Sequence, residues 1–209
     1  MTSASYVSAA DLQSGTAARP VIDLTSGLTL DLRGAPAPSA TRLRTIPIAA
    51  AVGSGSTALA AFDHALRLTG IANYNLVRLS SVIPPATQIR PTATPIAPGG
   101  TWGDRLYVVY ASQPAVQPGE EAWAGVAWVQ DPSDHRGLFV EHEGVSEDGV
   151  RSDLVNTLSD MTDGRPGNWS EPELVVTGGT CVDTPICAFV VAAYESAPWS
   201  PERQVTVVP

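Results

Sequence analysis

The chain has 209 residues, 44% apolar and only 16% charged, enough for one ordinary domain that buries a core without disulfides or metal. That balance excludes a disordered chain, and the net charge of −9 speaks against binding a nucleic-acid backbone while suiting a cationic substrate. No apolar run reaches membrane-spanning length, and Met1 to Ala10 has neither the basic start nor the hydrophobic stretch of a signal peptide, so the cytoplasm is the expected compartment.

Residues 1–45, rich in Ala, Ser, Thr and Pro, read as a variable N-terminal extension ahead of a domain over 46–209. Within the extension, Val21 to Leu32 alternates around a Ser-Gly pair and predicts a small hairpin, followed by a proline-containing linker from Gly34 to Ser39. IPIAAAV, running from Ile46 to Val52 and ending at Gly53, predicts a buried strand. GSGST then makes a turn, with Ser56 or Thr57 as the cap of a helix over Ala58 to Leu68 that stops at Gly70. Asn75 to Leu79 predicts a short strand that runs directly into Ser80-Ser81, and Pro84-Pro85 keeps it from continuing as a central sheet member.

Further on, Leu106 to Ala111, Glu121 to Val129 and Gly137 to His142 have strand character, although Glu121 to Val129 has a composition that also suits helix. Val150 to Thr162 predicts an exposed amphipathic helix, and a turn around Gly178-Gly179 precedes a closing strand over Ile186 to Glu195. Strands and helices interleave without a strict strand-helix-strand rhythm, which points to a layered, mixed α/β fold. Cys181 and Cys187 read as buried free thiols rather than a bridge. His64, His135 and His142 show no metal-ligand spacing, and GSGST lacks the lysine ending of a phosphate loop.

The chemistry concentrates in FDHALRLTGIANYNLVRLSSVIPP, Phe62 to Pro85. A Ser81 hydroxyl held against the preceding carbonyl can attack it, moving the acyl group from nitrogen to oxygen, given a strained backbone and suitable donors. Elimination from that ester would free a chain ending at Ser80 and leave residue 81 as a dehydroalanine, which hydrolyses to a pyruvoyl group. Such a ketone can form a Schiff base with a substrate amine and take up the electrons left when carbon dioxide departs, the task pyridoxal phosphate performs elsewhere. If Gly137 to Glu143 is a strand, Glu141 and Glu143 share a face and His142 takes the other, so Glu141 is the candidate general acid or base. Asp63, between Leu59 and Leu66 on its helix, suggests an acid flanked by apolar walls, suited to a guanidinium and its methylenes.

The ordered pattern FD-x-AL, GI-x-N-x-NL and SS-x-x-PP, continued by GLFVEHEG at Gly137 to Gly144 and CAFVVAAYE at Cys187 to Glu195, resembles the pyruvoyl-dependent arginine decarboxylases from about Ile46 to Tyr194. The resemblance implies a four-layer αββα sandwich, self-cleavage between Ser80 and Ser81, and a covalent pyruvoyl cofactor from Ser81 with no metal or external cofactor. It also implies Glu141 as proton donor, Asn75 as an active-site residue, and a substrate pocket of Leu59, Asp63 and Leu66. The expected reaction converts arginine to agmatine and carbon dioxide in a trimer of cleaved protomers, or a dimer of trimers, with active sites between neighbours. Another amino acid as substrate, or an uncleaved relative acting as a binding or assembly subunit, are the alternatives.

Overall fold

The structure is a computed structural model and describes residues 43–199; the hairpin and linker expected before them lie outside the described residues. Nine strands and two helices follow in the order β1 (Arg44–Ser54), α1 (Ala58–Thr69), β2 (Asn75–Arg78), β3 (Val82–Ile83), β4 (Thr87–Pro91), β5 (Arg105–Ala115), β6 (Glu121–Gln130), β7 (Gly137–Gly144), α2 (Glu147–Thr162), β8 (Glu173–Thr180) and β9 (Ile186–Ala197) among these residues. One sheet has the order β2-β5-β9-β1-β4 and the other β3-β7-β6-β8. In the first, β9 pairs antiparallel with both β1 and β5, while the edge strands β4 and β2 join parallel; the second is antiparallel throughout.

Strand alternation sorts the apolar side chains into three cores and so sets the layers. Ile46, Ile48, Val109, Val190, Ala192, Val126, Trp128 and Phe139 meet between the two sheets. Residues one step along β1, β5 and β9, such as Ala49, Val108, Phe189 and Val191, face Ala65 and Leu66 of α1 on the outside of the five-stranded sheet. Ala127, Val129, Leu138 and Val140 face Val150, Leu154 and Leu158 of α2 outside the other. The layer order is therefore α1, sheet, sheet, α2: a four-layer αββα sandwich.

Local sequence explains the element ends. Thr57 caps α1, its side chain accepting from the Ala60 N–H at 3.1 Å, and Gly70 closes it in the left-handed region with φ 86°. The Glu121–Gln130 segment is strand, because its neighbours on both sides are extended and its small residues let a sheet and a helix approach from opposite faces. The turn expected at Gly178-Gly179 is corrected: both lie inside β8. A Cβ on Gly178 would come within 2.3 Å of the Trp123 indole, so this glycine admits a close-packed ring rather than a bend. Cys181 and Cys187 are free and buried, and burial pushes the Cys187 thiol up to about 11.

Gly53 fixes how closely α1 lies on β1, since a Cβ there would sit 2.2 Å from the Ala61 carbonyl oxygen and 2.3 Å from the Ala65 nitrogen. Neither is the movable tip of a side chain, so Gly53→Ala must lift the helix from the sheet. We expect a loss of about 1–3 kcal/mol in urea denaturation of the intact fold.

Candidate active site

The chain passes from one sheet to the other at Ser80-Ser81. β2 is an edge strand of the five-stranded sheet, and its pairing with β5 extends to the Leu79 N–H, which donates to the Val108 carbonyl at 2.9 Å. Three residues later β3 pairs with β7 of the other sheet, Val82 opposite Leu138. Making that crossing puts Ser81 at φ 68°, in the left-handed region that a residue with a side chain seldom occupies. Such a conformation costs about 1–3 kcal/mol and persists only where the surroundings enforce it.

The enforcing contacts can be named. The Ser81 carbonyl accepts from the Phe139 N–H at 2.7 Å, and the Ser81 hydroxyl donates to Glu141 Oε2 at 2.8 Å. The Tyr194 hydroxyl, reaching across from β9, donates to the Val82 carbonyl at 3.0 Å. Burial, and secondarily the charge of Glu141, push the Tyr194 phenol well above its ordinary range, so it stays a donor. Ser81 itself is only 8% exposed.

Glu141 reaches Ser81 because β7 alternates as expected: Leu138 and Val140 face α2, Phe139 and Glu141 face the opposite way, and His142 meets Thr157 of α2 at 2.9 Å. Glu143, the next residue on the Glu141 face, is exposed. The second oxygen of Glu141 lies 3.7 Å from Arg78 Nε. Arg78 is held in turn by Tyr110, donating through Nη2 to its carbonyl at 2.5 Å and lying 4.7 Å over its ring. A groove of about 330 Å³ opens on Ser81, with Leu79, Glu141, His142, Thr157 and Met161 among its walls.

The remaining expected site residues are not in this groove. Asn75 stands at the far end of β2, its amide donating to the Gly103 carbonyl at 2.6 Å. Leu59 is 75% exposed, Asp63 pairs with Arg67 at 3.1 Å, and Leu66 is buried in the core between α1 and its sheet. Within the single chain α1 covers its own sheet and that packing takes Leu66, so these three side chains do not line their own chain's Ser81 groove. Tyr194 and Arg78 carried no expectation of their own. Tyr194 lies within the CAFVVAAYE run, but nothing local in the sequence says that its hydroxyl crosses to the other sheet.

A serine hydroxyl bonded to a carboxylate, on strained backbone between the layers of an αββα sandwich, fits the frame of a pyruvoyl-dependent decarboxylase, whose cofactor is made from such a serine. The family profile described as pyruvoyl-dependent arginine decarboxylase matches residues 45–194, and the chain belongs to that family. The pyruvoyl-dependent arginine decarboxylase of Methanococcus vannielii is 33% identical over 154 residues, covering 71% of this chain and 88% of that protein. That of Halobacterium salinarum is 36% identical over 153 residues, covering 71% and 92%. A solved pyruvoyl-dependent histidine decarboxylase is a partial likeness, 20% identical with a TM-score of 0.35 over 49% of this chain and 54% of that one. The cofactor of the family is a covalently bound pyruvoyl group, and the hydroxyl, carboxylate and strained backbone at Ser81 fit its formation from the chain itself.

The strain at Ser81 can be measured apart from chemistry. Ser81→Ala and Ser81→Gly both lack the hydroxyl, and only glycine occupies positive φ without penalty. Ser81→Gly is expected to unfold later than Ser81→Ala, by about 0.5–1 kcal/mol in denaturant titration.

Proposed function

We propose that the chain cleaves itself between Ser80 and Ser81 and then decarboxylates arginine to agmatine. The single observation that carries this reading is the 2.8 Å hydrogen bond from the strained, buried Ser81 to Glu141. Glu141 Oε2 takes the hydroxyl proton as Oγ attacks the Ser80 carbonyl carbon; the C–N bond to residue 81 breaks, leaving an ester and a free amine. Loss of the Ser81 Cα proton then breaks the Cβ–Oγ bond and releases Ser80 as a carboxylate. Addition of water and departure of ammonia leave a ketone at residue 81. The Phe139 N–H and the Tyr194 hydroxyl hold the backbone on the downstream side while this happens.

The pyruvoyl group so formed supplies the carbonyl that receives the substrate amine and the sink for the electrons left by carbon dioxide. Glu141 then delivers a proton to the substrate carbon that lost its carboxylate. Leu59 and Asp63 project from α1, on the far side of the five-stranded sheet from the Ser81 groove, so in this proposal they serve the groove of a neighbouring copy. There Leu59 packs against the substrate methylenes and Asp63 exchanges Arg67 for the substrate guanidinium, with Leu66 bracing the helix from within. Asn75, likewise outside its own chain's groove, completes this composite site. The assembly is a homotrimer of cleaved protomers, alone or paired, acting in the cytoplasm. Its decarboxylase domain is 46–209, with residues 1–45 as an extension.

Carbon dioxide release from a panel of amino acids, on fully cleaved protein, should favour arginine clearly over lysine and ornithine, whose ammonium offers a point charge in place of a fork. Preference for an apolar or acidic amino acid would end the arginine assignment. Asp63→Asn should weaken use of arginine by about 1.5–3 kcal/mol in kcat/KM while leaving cleavage intact. Glu141→Gln, once cleaved, should lose about a hundredfold or more in kcat with little change in KM, as expected for a proton donor to the chemical step.

A further inference from the structure

We propose that Arg78 is the counter-ion awaiting the carboxylate that cleavage creates at Ser80. This rests on the cleavage proposed above. The peptide bond between Ser80 and Ser81 is neutral; its products include a carboxylate at Ser80 in the position of the former carbonyl. That new anion forms one residue from the Ser81 hydroxyl, which is bonded to Glu141, so two carboxylates come to share a partly enclosed site. Like charges so close, without a cation, oppose both the formation of the product and its retention.

Arg78 is placed to answer that charge. Its Nε faces Glu141 Oε1 at 3.7 Å, and among the described residues no other cation pairs with Glu141. Ser80 lies two residues beyond Arg78, the last residue of β2, and the next residue, Ser81, bonds the other oxygen of the same Glu141 carboxylate. The guanidinium is fixed from behind: Nη2 donates to the Tyr110 carbonyl at 2.5 Å, and the plane lies 4.7 Å over the Tyr110 ring. Nη1 has no hydrogen-bond partner among the described residues, which leaves part of the guanidinium fork for an incoming carboxylate. The charged and titratable groups facing this position are Glu141 and its neighbour on the same strand face, Glu143, from β7, Tyr194 from β9, and Arg78 itself; His142 is turned to Thr157 of α2. Arg78 is thus a positioning residue: it balances Glu141 before cleavage and is shared between Glu141 and the Ser80 terminus afterwards.

The new terminus can be watched directly. Protein labelled with ¹³C at serine carbonyls gains one serine carboxylate resonance on cleavage, and its titration needs no substrate. We expect that in Arg78→Gln this carboxylate titrates about one pH unit higher than in wild type, the low end for loss of a neighbouring opposite charge because Arg78 is half exposed. Arg78→Lys, which keeps the charge, should stay within a few tenths of a unit of wild type. A purely structural role for Arg78 would move melting temperature but leave the titration in place. Equal midpoints in wild type and Arg78→Gln would overturn the proposal. If Arg78→Gln does not cleave, Arg78→Lys decides: it must cleave to completion, and a lysine variant that stays intact overturns the proposal as well. Failure of the wild type to yield any serine carboxylate would instead refute the cleavage reading itself.

Discussion

The constraint on which the rest of the site depends is the passage of the chain between two sheets within two residues. Edge strand β2 ends on one sheet and edge strand β3 begins on the other, and Ser81 takes the turn with a left-handed φ. Nothing in a serine favours that conformation. It is enforced by hydrogen bonds on both sides of the bend, from Leu79 to β5 and from Phe139 and Tyr194 to Ser81 and Val82. In the proposed cleavage, breaking this bond releases the covalent link between two anchors that remain fixed to separate layers.

The sandwich supplies Glu141 with the same economy. β7 lies between β3 and β6, so the strand that receives the chain after the crossing is the strand that carries the carboxylate. The β6–β7 turn is tied by Asp131: the Ser133 hydroxyl and the N–H groups of Ser133 and Asn168, with Arg136 beside them, hold its carboxyl down at about 2. Gln130 adds bonds from its amide to the carbonyls of His135 and Thr87, joining that turn to β4. The register of β7 against β3 therefore rests on contacts well away from the reacting atoms.

Much of this was legible in the sequence because the signals were local. The Thr57 cap, the Gly70 stop, the alternation of β7 and the run of apolar residues in β9 each reflect backbone geometry that a few neighbouring residues decide. Glu141 could be paired with Ser81 through the resemblance, and its face could be foreseen from strand alternation alone. What could not be read depended on tertiary partners. β4 is a short edge strand with a terminal proline, and β8 contains two glycines whose purpose is visible only when Trp123 is seen lying against one of them. The spacing of Leu59, Asp63 and Leu66 was read correctly as helical, yet spacing says nothing of which sheet the helix must cover. Arg78 gave no signal, because its partners Tyr110 and Glu141 come from strands far away in the chain.

Cleavage at Ser80-Ser81 is the claim from which the rest follows, and the mass of the mature protein under denaturing conditions tests it most directly. Wild-type protein left to mature should give two chains of about 8 and 14 kDa, the larger lighter by one ammonia than a chain beginning with free serine. A single chain at the full 21.8 kDa would contradict the account.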